Sequence, residues 1–139
     1  MQPNGHPVKK LRNLRKQYDR KEVLHGIDLD VYSGQIIGYI GPNGAGKSTT
    51  VRILAWLDSS FSGEVEIAGF DVKKDNIEVK KIMGYVPENA ELYDVLTPME
   101  FLLLAGRLHH LSDELIVERA TQMLQYFGLG DNLHQRMDS

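Results

Sequence analysis

Gly41-Pro42-Asn43-Gly44-Ala45-Gly46-Lys47-Ser48 is the stretch whose reading decides how this chain folds. A glycine, four residues, then Gly-Lys-Ser is the spacing of the Walker A phosphate-binding loop. A triphosphate needs many donors converging on one small volume. Backbone N–H groups supply them where the chain wraps closely, which side chains at positions 44 and 46 would obstruct. A helix beginning near Lys47 aims its positive end at the same anion. Lys47 adds a point charge that reaches the β- and γ-phosphates. The Ser48 hydroxyl can complete the shell of Mg²⁺, an ion that takes a few protein oxygens together with phosphate oxygens and water. The bland alternative is a chance match in a glycine-rich turn. An apolar run before the loop and a helical pattern after it argue against that.

Outward from the loop, residues 35–40 are short and apolar, the pattern of a strand buried on both faces. Residues 47–56 predict a helix with Val51, Leu54 and Ala55 on one face, and Trp56 at its end as packing. Upstream, Ile27, Leu29 and Val31 alternate with polar neighbours, the signal of a half-buried strand. Residues 8–14 alternate weakly and predict an edge strand. Downstream come a strand at 64–67, a turn at Ala68-Gly69, a short helix at 77–81 and a short strand at 83–86. Thr97-Pro98-Met99-Glu100 joins a Thr cap, a Pro at the first helical position and a Glu at the third. It opens a helix to about Leu108, with Phe101, Leu102, Leu103, Leu104 and Leu108 as an apolar core face. Ser112 caps another helix, with Asp113 and Glu114 in its first turn, that stops near Gly128. The first half of the chain is mixed α/β and the second helical.

The 139 residues suit a single domain, and 42% apolar with 25% charged residues is ordinary globular composition. A net charge of −3 gives no reason to expect a nucleic-acid groove. The basic residues between Lys9 and Lys21 read as a solvated strand face and loop. With no cysteine, disulfides, thiolate metal sites and a thiol nucleophile are excluded, which suits a reducing compartment. No run approaches about 18 apolar residues, so no direct membrane insertion is expected. Residues 1–7 are polar, without the apolar core of a signal peptide, and predict a disordered N-terminus. The expected location is cytoplasmic, with any membrane link made through a partner.

Residues 41–50, GPNGAGKSTT, closely resemble the Walker A of ATP-binding-cassette (ABC) ATPases, where a Pro-Asn pair commonly follows the first glycine. Lys16-Gln17-Tyr18 ahead of residues 23–29, VLHGIDL, is similar to that family's opening segment. Residues 62–69, SGEVEIAG, resemble its antiparallel β-subdomain, Met83-Gly84-Tyr85-Val86-Pro87 leads to its Q-loop position, and residues 96–102, LTPMEFL, resemble the start of its helical subdomain. These segments occur in the family's order and cover the chain from Val8 onward. The resemblance implies a P-loop NTPase core with an antiparallel β-subdomain and the start of an α-helical subdomain, a truncated ABC ATPase. Residues 8–88 would form the nucleotide-binding core and 89–139 a partial helical subdomain.

Carried over residue by residue, Gly41, Pro42, Asn43, Gly44, Ala45, Gly46, Lys47, Ser48 and Thr49 would hold the phosphates of ATP. Tyr18 would stack on adenine and Val23 pack beside it. On residues alone Tyr18 reads equally as a half-buried core aromatic. Glu88 stands where the family usually has Gln. It keeps an oxygen at the same reach and adds a negative charge that could tighten Mg²⁺ binding, so Ser48 and Glu88 are the metal candidates and Lys47 and Glu88 the catalytic ones. Some of Tyr93, Leu96 and Phe101 could meet a membrane subunit, although core is the favoured reading. His109 and His110 read as a solvated linker.

Nothing here resembles the signature sequence, the Walker B acidic pair or the switch histidine. The resemblance therefore implies part of a longer ATPase that couples ATP hydrolysis to transport. That ATPase would work as a head-to-tail dimer with a second ATP-binding subunit, on a transmembrane permease subunit at the cytoplasmic face of the membrane. This chain alone would be hydrolytically incompetent. The alternatives are a non-transport ABC ATPase in translation or DNA maintenance, or a nucleotide-binding module that never hydrolyses.

Overall fold

The computed structural model describes residues 5–88 and 95–137. The chain forms two compact units, Met1–Val86 and Pro87–Ser139.

In the first unit, β1 (Lys9–Tyr18), β2 (Lys21–Val31), β3 (Ser62–Ile67) and β4 (Phe70–Asp71) form an antiparallel sheet in the order β2-β1-β3-β4. Helices α1 (Lys47–Leu54) and α2 (Asn76–Ile82) complete it. Leu11, Leu14, Leu24, Ile53, Val65, Ile67, Val72 and Val79 make one buried cluster. The weak alternation expected of an edge strand at 8–14 belongs instead to a strand paired on both sides. Its pattern is broken because the register shifts between Leu11 and Leu14, where Asn13 takes a φ of 47°. A bulge resets the alternation, so Leu11 and Leu14 both face inward although they lie three residues apart. β3 passes so close to this bulge that a Cβ on Gly63 would lie 2.6 Å from the Arg12 carbonyl oxygen, and its φ of 91° suits only glycine. The β3–β4 turn at Ala68-Gly69 has both φ positive, as a tight two-residue hairpin requires.

Two expected strands are absent. Residues 35–40 and 83–86 pair with nothing among the described residues, and Ile36, Ile40 and Val86 are 100%, 93% and 90% exposed. An apolar run becomes a buried strand only when neighbours cover both its faces, and no such neighbours stand among the described residues. Residues 35–40 therefore stand as an unpaired apolar segment among the described residues.

The second unit holds α3 (Pro98–Leu108), α4 (Asp113–Tyr126) and a 3-10 turn at Gly130–Asn132. The predicted capping box is formed: Glu100 N–H donates to Thr97 Oγ1 at 3.2 Å and Thr97 N–H to Glu100 Oε2 at 2.8 Å. Ser112 caps α4 through Leu115 N–H, and Gly128 closes it with a φ of 73°. Arg107 clamps Asp113 with two hydrogen bonds of 2.8 and 2.6 Å. Gly106 lets the helices approach, since a Cβ there would lie 2.5 Å from Ile116 Cγ1. The expected core face of α3 is only partly realised. Leu104 and Leu108 are 42% and 72% exposed, Phe101, Leu102 and Leu103 are half-buried, and Met99 is the buried residue of the helix. The close approach to α4 is made at Gly106, against Ile116, rather than by the bulky leucines. Leu96 is half-buried, and Tyr93 lies outside the described residues. No helix among the described residues is long and apolar enough to cross a membrane.

Candidate functional site

The glycine loop ends in α1 as its spacing predicts. Gly46 is the N-cap, left-handed at φ 82°, and no side chain caps the helix. Its Cα packs against β2: a Cβ would lie 3.0 Å from the Val23 carbonyl oxygen and closer still to Leu24 Cδ2. Thr50, buried one turn in, donates its hydroxyl back to the Gly46 carbonyl at 3.0 Å, and Tyr39 Oη lies 3.3 Å from the same hydroxyl. The helix start is thus braced from behind. Residues 41–45 and Ser48 are exposed, while Lys47 and Thr49 are half-buried.

Lys47 folds back over the loop, its Nζ donating to the Gly41 carbonyl at 2.7 Å and the Pro42 carbonyl at 2.8 Å. An ammonium has three donors, so two fix the side chain and a third remains for an anion. The first turn of α1 has no side-chain cap, so its amides keep donors for an anion, with the positive end of the helix behind them. This donor set fits a phosphate group. For Mg²⁺, no group of three acidic or histidine side chains occurs among the described residues.

Val23 meets the loop at Gly46, 3.3 Å from the position of a Cβ there. Tyr18 lies at the neighbouring end of the β1–β2 hairpin, opposite Lys21. Two residues of strand, about 7 Å, separate Lys21 from Val23. Tyr18 is 43% exposed, so it is not a core aromatic. Its Oη donates to Asp58 Oδ2 at 2.7 Å. Glu88 is exposed and belongs to the second unit; the site described here is built from the first unit alone. His109 and His110 are exposed in the turn after α3.

Asp58 and Lys16 escaped the reading of the sequence. Lys16 is 4% exposed, and its Nζ bonds Asp58 Oδ1 at 2.7 Å and the Ser60 carbonyl at 2.5 Å. One signal was available: Lys16 shares its strand face with Leu14, and an inward-facing lysine requires a partner.

Comparison with known proteins gives this geometry its family. Residues 24–139 match the ABC transporter family, and the chain belongs to it. It is 32% identical over 127 residues to the linearmycin resistance ATP-binding protein LnrL of Bacillus subtilis, covering 91% of this chain and 41% of that protein. With the daunorubicin resistance ATP-binding protein DrrA3 of Streptomyces coeruleorubidus it shares 40% identity over 116 residues, 84% of this chain and 37% of that one. A solved ATP-binding subunit of an ABC transporter superposes with a TM-score of 0.81 at 29% identity, over 93% of this chain and 54% of that structure. The chain thus spans well under half the length of these curated relatives. Its architecture, an antiparallel sheet with a glycine-loop helix and a helical unit, is that of an ABC ATPase.

Proposed function

We propose that this chain is the ATP-binding portion of an ABC transporter ATPase. The carrying observation is the loop-to-helix junction: an uncapped α1 N-terminus, held by Gly46 against β2, with Lys47 folded toward it over the carbonyls of Gly41 and Pro42. Residues 8–88 serve as the nucleotide-binding core and 89–139 as part of the helical subdomain.

Backbone N–H groups of residues 43–49 donate to the phosphate oxygens. Lys47 turns its remaining N–H on the β- and γ-phosphates, where electrostatic clamping is the main catalytic resource of phosphoryl transfer. Ser48 would offer its hydroxyl to Mg²⁺, which when bound would neutralise charge on the phosphates. Tyr18 stacks on adenine with Val23 beside it. Hydrolysis belongs to the whole protein, where a second ATP-binding subunit docks head-to-tail and a permease subunit holds the pair at the cytoplasmic face of the membrane. The resistance names of the relatives favour transport as the coupled work over translation or DNA maintenance. This chain alone is expected to show no sustained turnover.

The test is equilibrium binding of Mg-ATP to the chain and to Lys47→Ala. Loss of most of the affinity in the variant is expected. Equal affinities would refute the phosphate role of Lys47.

A further inference from the structure

The Tyr18 ring is held by a charge pair, a buried lysine with a partly buried aspartate, that phosphate binding does not require. Asp58 sits four residues past α1, in the turn where Trp56 N–H bonds the Ile53 carbonyl and Leu57 N–H the Arg52 carbonyl. Both of its carboxylate oxygens are engaged: Oδ1 accepts from Lys16 Nζ at 2.7 Å and from Ser60 N–H at 3.0 Å, and Oδ2 accepts from Tyr18 Oη at 2.7 Å. Lys16 Nζ also lies 4.5 Å from the centroid of the Tyr18 ring. One face of the ring is therefore closed by the ammonium and its hydroxyl is fixed. Tyr18 as a whole remains 43% exposed.

We propose that Asp58 and Lys16 are positioning residues for base recognition, locking the Tyr18 ring so that a single face is presented to a purine. This rests on the reading of Tyr18 as the stacking aromatic. The physical basis is preorganisation. A half-exposed tyrosine that rotates freely must be ordered when a base stacks on it, whereas a tethered one has been ordered by folding. The tether also joins the two ends of the site. Lys47 opens α1 at the phosphates, and the turn that closes α1 delivers Asp58 to the ring that meets the base.

Tyr18→Phe is the informative variant. It removes the tether while keeping the ring, the Lys16 contact and the Lys16–Asp58 pair. Binding of ATP and of inorganic tripolyphosphate to the chain is measured for wild type, Tyr18→Phe, Asp58→Asn and Tyr18→Ala. The expected result is an ATP affinity about two- to tenfold weaker in Tyr18→Phe, the scale of freezing one side chain, with tripolyphosphate affinity unchanged. Asp58→Asn should move in the same direction, and Tyr18→Ala should weaken ATP further. If Tyr18→Ala weakens ATP while Tyr18→Phe matches wild type, stacking stands and the positioning role is overturned. If Tyr18→Ala leaves ATP affinity intact, both readings fall. Equal losses for ATP and tripolyphosphate in Tyr18→Phe would show a general structural role and overturn the proposal.

Discussion

Replacing Gly46 by alanine loads the point where the phosphate loop, α1 and β2 meet. Two separate costs follow from the geometry. The left-handed backbone at φ 82° disfavours any side chain by about 1–2 kcal/mol. The new methyl group also enters space held by Leu24 Cδ2 and the Val23 carbonyl, one of them backbone, which adds an overpacking cost of about 1–3 kcal/mol. Together these amount to about 2–5 kcal/mol, a large share of the roughly 5–15 kcal/mol that holds a domain folded. Gly44 supplies the control. It has the same φ of 82° but nothing within 4 Å of its Cβ position, so Gly44→Ala should show the backbone cost alone. Urea unfolding followed by circular dichroism reads the difference. With a slope of about 1–3 kcal/mol per molar, the Gly46→Ala midpoint should fall roughly 1 M below that of Gly44→Ala. Coincident midpoints would refute the tight packing of the loop against β2, and two unperturbed variants would refute the left-handed backbone as well.

The Asp58 carboxyl carries a pH prediction. Burial raises its pKa, but hydrogen bonds from Lys16, Tyr18 and the Ser60 N–H outweigh that and hold it below its ordinary value. The stability it contributes is full above the unfolded pKa, near 4, and is lost as pH falls through the lower folded value. Melting temperature measured from pH 6 down to 3 should accordingly drop less steeply in Asp58→Asn than in wild type. In the helical unit, Gly106→Ala gains helix propensity but drives a methyl group into buried Ile116, for a net loss of about 1 kcal/mol that Ile116→Val should partly restore. The exposed apolar edge at residues 35–40 should make the chain associate, and light scattering should show Ile36→Lys with Ile40→Lys shifting it toward monomer.

What was legible in the sequence is what short-range chemistry determines. The loop at 41–48 and the helix it opens depend on neighbouring residues, as do the Thr97–Glu100 box, the Ser112 cap, the Gly128 stop and the Ala68-Gly69 turn. Long-range pairing was harder to see. Residues 8–14 looked like an edge because their alternation is broken at Asn13, and the glycine that accommodates this bulge, Gly63, lies fifty residues away. Residues 35–40 and 83–86 carry strand composition, yet a strand is defined by partners that no local pattern contains. The site divides the same way. Lys47 and Ser48 announce themselves by spacing, whereas Asp58 reaches Tyr18 from forty residues off, and only an inward-facing Lys16 hinted at a missing anion.

The central claim is that the backbone between Gly41 and Thr49 grips the phosphates of ATP. At 15.7 kDa the chain is small enough for amide NMR, which reads those N–H groups directly. On titration with Mg-ATP, the largest shifts should fall on the amides of residues 44–49, and Lys47→Ala should suppress them. Saturable binding that leaves these amides unmoved, or shifts concentrated elsewhere in the chain, would contradict the account.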